Sequence, residues 1–301
     1  MFSFIFIFLN ALIFPGIIGM TKNKLSGRKG PGYFQPLRDI LRLLKKESIF
    51  SEHSSFVTQI APTIYFLTII CAIFIIPFNG HEGLIFFEGD FVVFAYLLAL
   101  GKFFMILMAM DAASSFQGMG ANRESLFSML VEPAFFLILA SFALLTGETS
   151  FHSIYHHLHF DSYLSYLVAG LAAYLIVQIV MIENSRMPVD DPKTHLELTM
   201  IHEVMVLDIC GFDLALIQFA SALKFSLYGA LIANFFMPDH WSFLSKAGLF
   251  FLIQMILAVS IGVFESFSVR NKMDRNPQYI LTLSSIALLL FFSILILMPK
   301  S

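Results

Sequence analysis

The chain has 301 residues, of which 58% are hydrophobic and only 13% are charged, and its formal net charge is −3. Ordinary soluble domains carry roughly 25% charged residues, so this composition excludes a soluble globular protein. It also excludes a disordered chain, which needs low hydrophobicity and high charge, and it gives no basic excess of the kind that nucleic-acid binding requires. The composition therefore predicts a protein that lies mostly within a lipid bilayer.

Eight apolar segments are long enough to cross a membrane as helices, which need about 20 mostly apolar residues. Because they are about twice as long as a membrane β-strand, they predict an all-α polytopic fold. The first segment has its lysines after it rather than before it, so we interpret it as a retained span and not a signal peptide. No second domain is evident, and residues 1–301 are predicted to form a single integral membrane domain. The predicted spans are 1–20, 58–78, 91–110, 125–146, 163–183, 213–236, 245–268 and 279–298.

Most of the 18 basic residues lie in the loops that follow the odd-numbered spans. The positive-inside rule places such loops in the cytoplasm, and an even number of spans then places both termini outside. The predicted cytoplasmic loops are 21–57, 111–124, 184–212 and 269–278.

The first of these loops contains a predicted amphipathic helix that follows Pro36. Its apolar residues recur at intervals of three and four, which is the helical period, and basic residues take the other face. The apolar stripe comprises Leu37, Ile40, Leu41 and Leu44. Such a helix suits the membrane surface or a protein partner, and the pattern leaves both interpretations open.

Ionisable side chains also occur within the predicted spans, where an unpaired charge costs about 2.5–3.5 kcal/mol on insertion scales. Glu132 stands beside Pro133 in span four, and Asp213 and Lys224 share one face of span six, about 16 Å apart at the helical rise. Further charged residues near span ends are Lys102, Asp111, Glu183 and Glu265. Those near the ends can reach the interface, but a set spread over five spans predicts a hydrated polar track suited to proton relay.

Two groups of histidines raise the question of a metal site. The first lies in the outer loop after span four and comprises His152, His156, His157 and His159. The second, His195 and His202, lacks an evident third ligand, and Val206 stands where a zinc-protease motif starting at His202 needs its second histidine. Solvated or structural histidines are therefore the favoured interpretation of both groups. The two cysteines, Cys71 and Cys210, are too few for a four-thiolate iron–sulfur cluster or an all-cysteine zinc site.

Three stretches of the chain resemble the complex I subunit 1 family. The segment GRKGPGYFQPLRDILRLLKKE at residues 27–47 is similar to that family's first cytoplasmic loop. MDAASSFQGMGANRESLFSMLVEP at residues 110–133 is similar to a stretch typical of its energy-converting hydrogenase branch, the hydrogenase-4 and formate hydrogenlyase type. The third stretch runs from Glu183 to Leu198. The resemblance extends from about residue 10 to residue 275 and follows the order of the predicted spans.

The resemblance implies a membrane anchor and coupling subunit that holds no redox centre of its own. Its implied partners are a hydrogenase-like large subunit with a nickel–iron centre, an iron–sulfur small subunit and antiporter-like membrane subunits, in the cell inner membrane. The implied proton or ion path comprises Glu132, Glu183, Lys224, Asp213, Asp190, Glu197, Glu124 and Asp111. The residues implied in docking the redox arm are Arg28, Lys29, Gln35, Asp39 and Arg123.

The chain departs from the family in the acidic run that follows Pro188. Asp190 and Glu197 keep family acids, whereas Lys193 and His195 stand where acids are expected. Two alternative functions stay open at this point. One is a quinone-site subunit of an NADH–quinone oxidoreductase, which needs a quinone tunnel between span one and the 21–57 loop. The other is a stand-alone ion transporter, for which the buried charges would serve equally well.

Overall fold

The computed structural model describes residues 2–30, 32–78, 82–158, 163–191, 200–237 and 241–297, and this part of the chain is built from helices without a β-strand. A short 3₁₀ turn, Met273–Arg275, precedes the last helix. The helices in chain order are α1 (Phe2–Leu25), α2 (Gln35–Leu43), α3 (Phe56–Ile75), α4 (Asp90–Asp111), α5 (Ser115–Thr146), α6 (Phe151–His157), α7 (Tyr163–Glu183), α8 (His202–Met205), α9 (Gly211–Phe235), α10 (Phe243–Phe267) and α11 (Asn276–Leu297).

Each of the eight predicted spans coincides with a helix of this bundle, namely α1, α3, α4, α5, α7, α9, α10 and α11. Among the described residues, seven of these helices are long and apolar enough to cross a membrane. The eighth, α7, contributes a shorter apolar stretch, Leu167–Glu183. The prediction of an all-α protein with several membrane spans is confirmed.

Helix α9 is the centre of the bundle and packs against α1, α3, α7 and α10. In its most apolar stretch 78% of the residues are buried, whereas the corresponding value is 50% or less in the other six spans. Helix α9 has the lowest hydropathy of the seven candidate spans, and its charged residues Asp213 and Lys224 need protein around them because lipid does not solvate charge. Helix α5 organises the other half of the bundle by packing against α4 and α11.

The two ends of the bundle differ in charge. One end is formed by the links α1–α3, α4–α5, α7–α9 and α10–α11, which hold most of the Lys and Arg residues. We call this end of the bundle the basic end. Ion pairs join these links across the bundle, since Lys22 at the end of α1 contacts both Glu265 near the end of α10 and Asp191 after α7. The opposite end carries the links α3–α4, α5–α7 and α9–α10.

The link between α4 and α5 is much shorter than the predicted loop 111–124. Helix α5 already begins at Ser115, so the predicted cytoplasmic loop is mostly helix, and Ala113 turns the chain with φ of 55°. Helix α5 continues through Gly118 and Gly120, and Gly120 lies against α8. A Cβ on Gly120 would collide with Val204 of α8 and lie 2.9 Å from the Ile201 carbonyl oxygen.

The predicted amphipathic helix after Pro36 is confirmed as α2. Its apolar stripe is only partly covered, because Ile40 is buried whereas Leu41 and Leu44 are exposed. Leu37 is half-buried. An exposed apolar edge therefore remains on α2 at the basic end, next to exposed basic residues.

Small residues allow the spans to approach each other closely, as expected where lipid gives no hydrophobic drive for helix association. A Cβ on Gly262 of α10 would overlap the Thr21 side chain of α1, and a Cβ on Gly229 of α9 would overlap Gln254 of α10. The glycines thus fix how closely α10 packs against α1 and α9.

We expect Gly262→Val to lower the free energy of unfolding by about 1–3 kcal/mol, because the added methyl groups overpack the α1–α10 contact. The measurement is the thermal midpoint of the purified protein in mild detergent. Gly248→Val is the matched control on the same helix, since nothing lies within 4 Å of a Cβ at that position. Equal losses in both variants would show that helix propensity, and not the contact, sets the effect.

Candidate ion pathway and adjoining cavity

Four charged side chains from four helices form a continuous buried chain of ion pairs, which we call the central ion cluster. Lys102 Nζ lies 2.7 Å from Glu124 Oε1 and 2.9 Å from Glu183 Oε2. Lys224 Nζ lies 2.6 Å from the same Glu183 Oε2. The order is therefore Glu124, Lys102, Glu183, Lys224, with alternating sign and no net charge. All four are almost completely buried.

The sequence directs these side chains inward by ordinary helical periodicity. Lys102 occupies the inner stripe of α4 with the buried residues Ala95, Leu98 and Met105, at intervals of three and four. Lys224 lies on α9, which is surrounded by protein. Removing one member of a buried ion pair costs about 3–5 kcal/mol because it strands the other charge. Each charge in the central ion cluster therefore requires its neighbours.

Glu132 adjoins the central ion cluster through a small cavity of about 20 Å³, which is enough for one water molecule. The cavity is lined by Glu132, Lys102 and Glu183 together with Tyr228 and Phe135. Glu132 itself is half-buried, and within the described part of the chain it makes no hydrogen bond or ion pair. The structure thus places Glu132 beside Lys102 and Glu183, and Lys224 pairs with the same Glu183.

A second, larger cavity of about 500 Å³ lies at the basic end, between α1, α2, α9 and the segment after α7. Its walls combine apolar side chains, among them Ile18, Leu214 and Ile217, with many polar ones. The hydroxyl of Ser185 is buried at this wall and has no hydrogen-bond partner among the described residues. The size is in the range of a small-molecule site.

His202 lies at the boundary between the two features. Its imidazole lines the large cavity, and it interacts electrostatically with Glu124 of the central ion cluster. Burial lowers the pKa of His202 below its usual value of 6.5, because the charged form loses its hydration. The ring is therefore neutral at pH 7.

A second ion cluster closes one side of the large cavity. Glu265 is almost fully buried and lies 3.5 Å from Lys22 Nζ and 3.2 Å from Arg186 Nη1. The Arg186 guanidinium also stands over the Phe225 ring at 5.1 Å, an arrangement that stabilises a cation against an aromatic face. Glu265 thus ties α1 and the segment after α7 to the end of α10.

Several of the predicted path acids serve as anchors for the backbone. Asp111 accepts from the backbone N–H groups of Ser55 and Thr58 and from the Thr58 hydroxyl, at 2.6–3.1 Å, and so caps the start of α3. Asp190 accepts from the backbone N–H groups of Asp191, Ile201 and His202 and pairs with Arg270 Nη2 at 2.8 Å. These carboxylates hold the basic end together rather than joining the central ion cluster.

The remaining predicted path residues have different outcomes. Asp213 is buried in the first turn of α9. The positive end of the helix dipole stabilises an acidic side chain at this position. Lys224, on the same helix, pairs with Glu183. Glu197 lies outside the described residues, as do Lys193 and His195.

The predicted docking residues divide between the surface and the cavity. Arg28 and Lys29 are exposed at the basic end. Gln35 and Asp39 line the large cavity instead, and the Gln35 amide donates to Asp39 Oδ1 at 2.8 Å. Arg123 donates to the Met200 carbonyl oxygen at 3.0 Å and so fixes the segment before α8 to α5.

Sequence reasoning identifies Lys102 only as a charge near the end of a span and does not assign it to the path. The signal is present, because Lys102, like Lys224, is a lysine within an apolar helix. In the sequence His202 suggests only a metal ligand, and Lys22 only a loop charge. The electrostatic interaction of His202 with Glu124 and the ion pair of Lys22 with Glu265 depend on helix packing, which spacing along the chain does not reveal.

Among the described residues, no group of three or more His, Cys, Asp or Glu side chains is arranged to hold a metal ion. Cys71 and Cys210 are free thiols and half-buried. Of the outer histidines, His157 lies 3.8 Å from Glu148 at an exposed position, and His159 lies outside the described residues.

The amino-acid sequence is similar to membrane subunits of hydrogenase and NADH dehydrogenase complexes. The chain is 28% identical over 232 residues to hydrogenase-4 component C of Escherichia coli (strain K12), covering 75% of this chain and 70% of that protein. It is 26% identical over 301 residues to formate hydrogenlyase subunit 4 of the same organism, covering 96% and 95%. NADH-ubiquinone oxidoreductase chain 1 of Cyanidium caldarium is 28% identical over 224 residues, covering 67% of this chain and 64% of that protein.

The fold has a solved counterpart in a subunit of the archaeal respiratory membrane complex described as the membrane-bound sulfane sulfur reductase. The TM-score is 0.83 at 18% identity, covering 97% of this chain and 96% of that one. A family model described as NADH dehydrogenase matches residues 1–297. The chain therefore belongs to the NADH dehydrogenase family, of the complex I subunit 1 type.

Proposed function

We propose that this chain is the membrane anchor and coupling subunit of a hydrogenase-like or formate-hydrogenlyase-like respiratory complex. In this role it docks a redox arm at the basic end and links electron transfer to proton or ion translocation. The single observation that carries the proposal is the central ion cluster, a neutral row of alternating charges buried between four helices. The hydrogenase-4 and formate hydrogenlyase relatives named above support the choice of complex.

The central ion cluster can pass on a charge by exchanging partners. A proton placed on Glu124 weakens its pair with Lys102, and Lys102 then interacts more strongly with Glu183. Because Lys224 shares the same Glu183 Oε2, its own attraction to that carboxylate decreases. The disturbance moves from the basic end towards α9, and the cavity beside Glu132 gives a water-sized route to a further carboxylate.

The basic end supplies the surface for the redox arm. Its proposed occupants are a hydrogenase-like large subunit with a nickel–iron centre and an iron–sulfur small subunit, and antiporter-like subunits would adjoin the bundle within the membrane. Arg28 and Lys29 are exposed there beside Tyr33 and Phe34, whose rings are also exposed. We place the basic end in the cytoplasm and both termini outside the cell inner membrane, following the positive-inside rule.

Gentle purification of the complex tests this assignment directly. We expect the chain to be isolated with soluble subunits that contain nickel and several iron–sulfur clusters, whereas the chain alone should show no redox chromophore. Subunit composition by mass spectrometry and metal content by elemental analysis give the answer. A stable complex without any redox subunit would contradict the proposal.

We expect Glu132→Gln to abolish proton translocation by the assembled complex while leaving its subunit composition intact, because glutamine keeps the shape and hydrogen bonding of the side chain but carries no proton. The measurement is proton uptake into proteoliposomes alongside the rate of electron transfer. Glu148→Gln is the matched control, since Glu148 is half-buried at the opposite end of the bundle, away from the central ion cluster. Unchanged translocation in Glu132→Gln would remove Glu132 from the path.

We expect the double reversal Arg28→Glu with Lys29→Glu to weaken binding of the redox arm by roughly 1–2 kcal/mol, or about tenfold, because exposed ion pairs contribute up to about 1 kcal/mol each. The loss should be largest at low ionic strength. The measurement is the stoichiometry of arm subunits after washing membranes at several salt concentrations. The charge-conserving exchange Arg28→Lys with Lys29→Arg is the control, and an unchanged stoichiometry in the double reversal would exclude this surface.

A second candidate function, a quinone-site subunit of an NADH–quinone oxidoreductase, is favoured by one observation. This function needs a quinone tunnel between span one and the 21–57 loop, and the large cavity lies between α1 and α2. Its apolar walls and the unpartnered Ser185 hydroxyl suit a neutral ring with polar substituents. The relative of the NADH-ubiquinone oxidoreductase type named above also supports this alternative.

The cavity-filling variant Leu214→Trp separates the two candidates. If quinone is the substrate, we expect quinone-dependent activity to fall at least about tenfold, which corresponds to about 1.4 kcal/mol. The reason is that the indole ring would occupy part of the cavity that the ligand needs. If the hydrogenase-like function holds, electron transfer within the purified complex should be unchanged. The control is Leu214→Met, which conserves side-chain volume.

A further inference from the structure

The end of the bundle opposite the basic end contains a buried lysine for which the structure shows no counter-charge. Lys246 lies in the first turn of α10 and is only 3% exposed. Within the described part of the chain its side chain makes no ion pair or hydrogen bond. Lys102 and Lys224, which are also buried, both pair with carboxylates. Lys246 is therefore the exception among the buried lysines that the structure describes.

The helix ends around Lys246 carry no carboxylate. Helix α10 packs against α1 and α9, and its Phe250 ring lies 5.6 Å from the ring of Phe78, which follows α3. None of the described stretches at this end of these helices contains Asp or Glu; the stretches are 2–10, 69–78, 229–237 and 241–250. Because a charged group at membrane depth needs a partner or water, a counter-charge for Lys246 has to come from outside these helices.

The start of α10 offers further groups to an anion. The first turn of a helix has backbone N–H groups without helical acceptors, and the helix dipole places partial positive charge there. Ser242 Oγ and Ser245 Oγ lie 2.9 Å apart, so one hydroxyl proton bridges them and the other stays available. Side chains on a helix lean towards its N-terminus, which directs Lys246 to the same turn. Its Nζ is not among the unpaired polar atoms that the described residues enclose completely, so an anion can reach it.

The surface that adjoins this turn is apolar and has the length of one lipid leaflet. Trp241 is 43% exposed and Leu244 is 81% exposed, and tryptophan is enriched where a membrane meets water. From Leu244 to Ile256 the exposed strip of α10 extends about 18 Å at 1.5 Å per residue, compared with about 15 Å for half of a hydrocarbon core. Its other large exposed side chains are Phe251, Leu252 and Met255.

We propose that the start of α10 binds an anionic phospholipid of the outer leaflet. The phosphodiester lies against the Lys246 ammonium group and the hydroxyls of Ser242 and Ser245, and an acyl chain follows the exposed strip of α10. An anionic headgroup is favoured over a zwitterionic one, because the surrounding helix ends have no carboxylate to pair with a positive group on the lipid. The inference goes beyond the proposed function, since it needs neither a redox arm nor another membrane subunit.

The chain contains a single tryptophan, Trp241, which provides a local probe of this site. The purified full-length chain is reconstituted into phosphatidylcholine vesicles that contain a minor fraction of brominated phosphatidylglycerol or, in a parallel sample, of brominated phosphatidylethanolamine. Bromine on the upper acyl chain quenches indole fluorescence only at short range, so quenching reports the lipid at the start of α10. We expect phosphatidylglycerol to be enriched at this site at least about fivefold over phosphatidylethanolamine.

Variants of Lys246 test whether its charge selects the lipid. Lys246→Gln should remove the preference for phosphatidylglycerol, whereas Lys246→Arg should keep it within about twofold, because guanidinium also binds phosphate. Lys24→Gln is the matched control, since it removes one exposed lysine at the basic end and changes the net charge equally. A preference that survives in Lys246→Gln would overturn the proposal.

The unaltered chain also gives a decisive result if Lys246→Gln does not accumulate. Equal quenching of Trp241 by the two brominated lipids would overturn the proposal, and it is the result expected if Asp239, which lies outside the described residues, supplies the counter-charge. In the assembled complex, native mass spectrometry should detect phosphatidylglycerol retained on this subunit after detergent washing. A complex that retains no anionic phospholipid there would equally overturn the proposal, while its redox subunits would leave the proposed function unaffected.

Discussion

The need to neutralise charge inside an apolar bundle is the constraint on which the rest of the structure depends. Lys102 and Lys224 lie within membrane-spanning helices, and each finds a carboxylate at 2.6–2.9 Å. The partners come from different helices, so the ion pairs specify how α4, α5, α7 and α9 meet. Because lipid gives spans little reason to associate by apolar contact alone, these pairs and the close-packed glycines determine the arrangement.

The segment after α7 connects this buried chemistry to the surface of the basic end. It follows Glu183, the last residue of α7 and a member of the central ion cluster, and its Arg186 pairs with Glu265 beside the large cavity. Asp190 holds the chain before α8 through backbone hydrogen bonds and Arg270. A change at the basic end that moves this segment therefore acts on the central ion cluster and on the cavity wall at once.

The sequence predicts the number, order and approximate limits of the spans because apolar length is a one-dimensional property. It also identifies Glu132 and Lys224, since a charge within an apolar helix is visible without any structure. Sequence reasoning is less successful where glycines suggest a loop at 111–124, because the close approach of α8 to Gly120 is a tertiary contact. For the same reason the sequence does not reveal that Asp111 and Asp190, which it predicts as path residues, accept hydrogen bonds from backbone N–H groups.

The position of Glu183 at the last residue of α7 has one more consequence. Lys224 Nζ lies 2.6 Å from its carboxylate and 3.4 Å from its main-chain carbonyl oxygen, so a single ammonium group senses both the side chain and the terminus of the helix. Any displacement of the last turn of α7 therefore moves both acceptors together, so the position of the Lys224 ammonium group depends on where this helix ends.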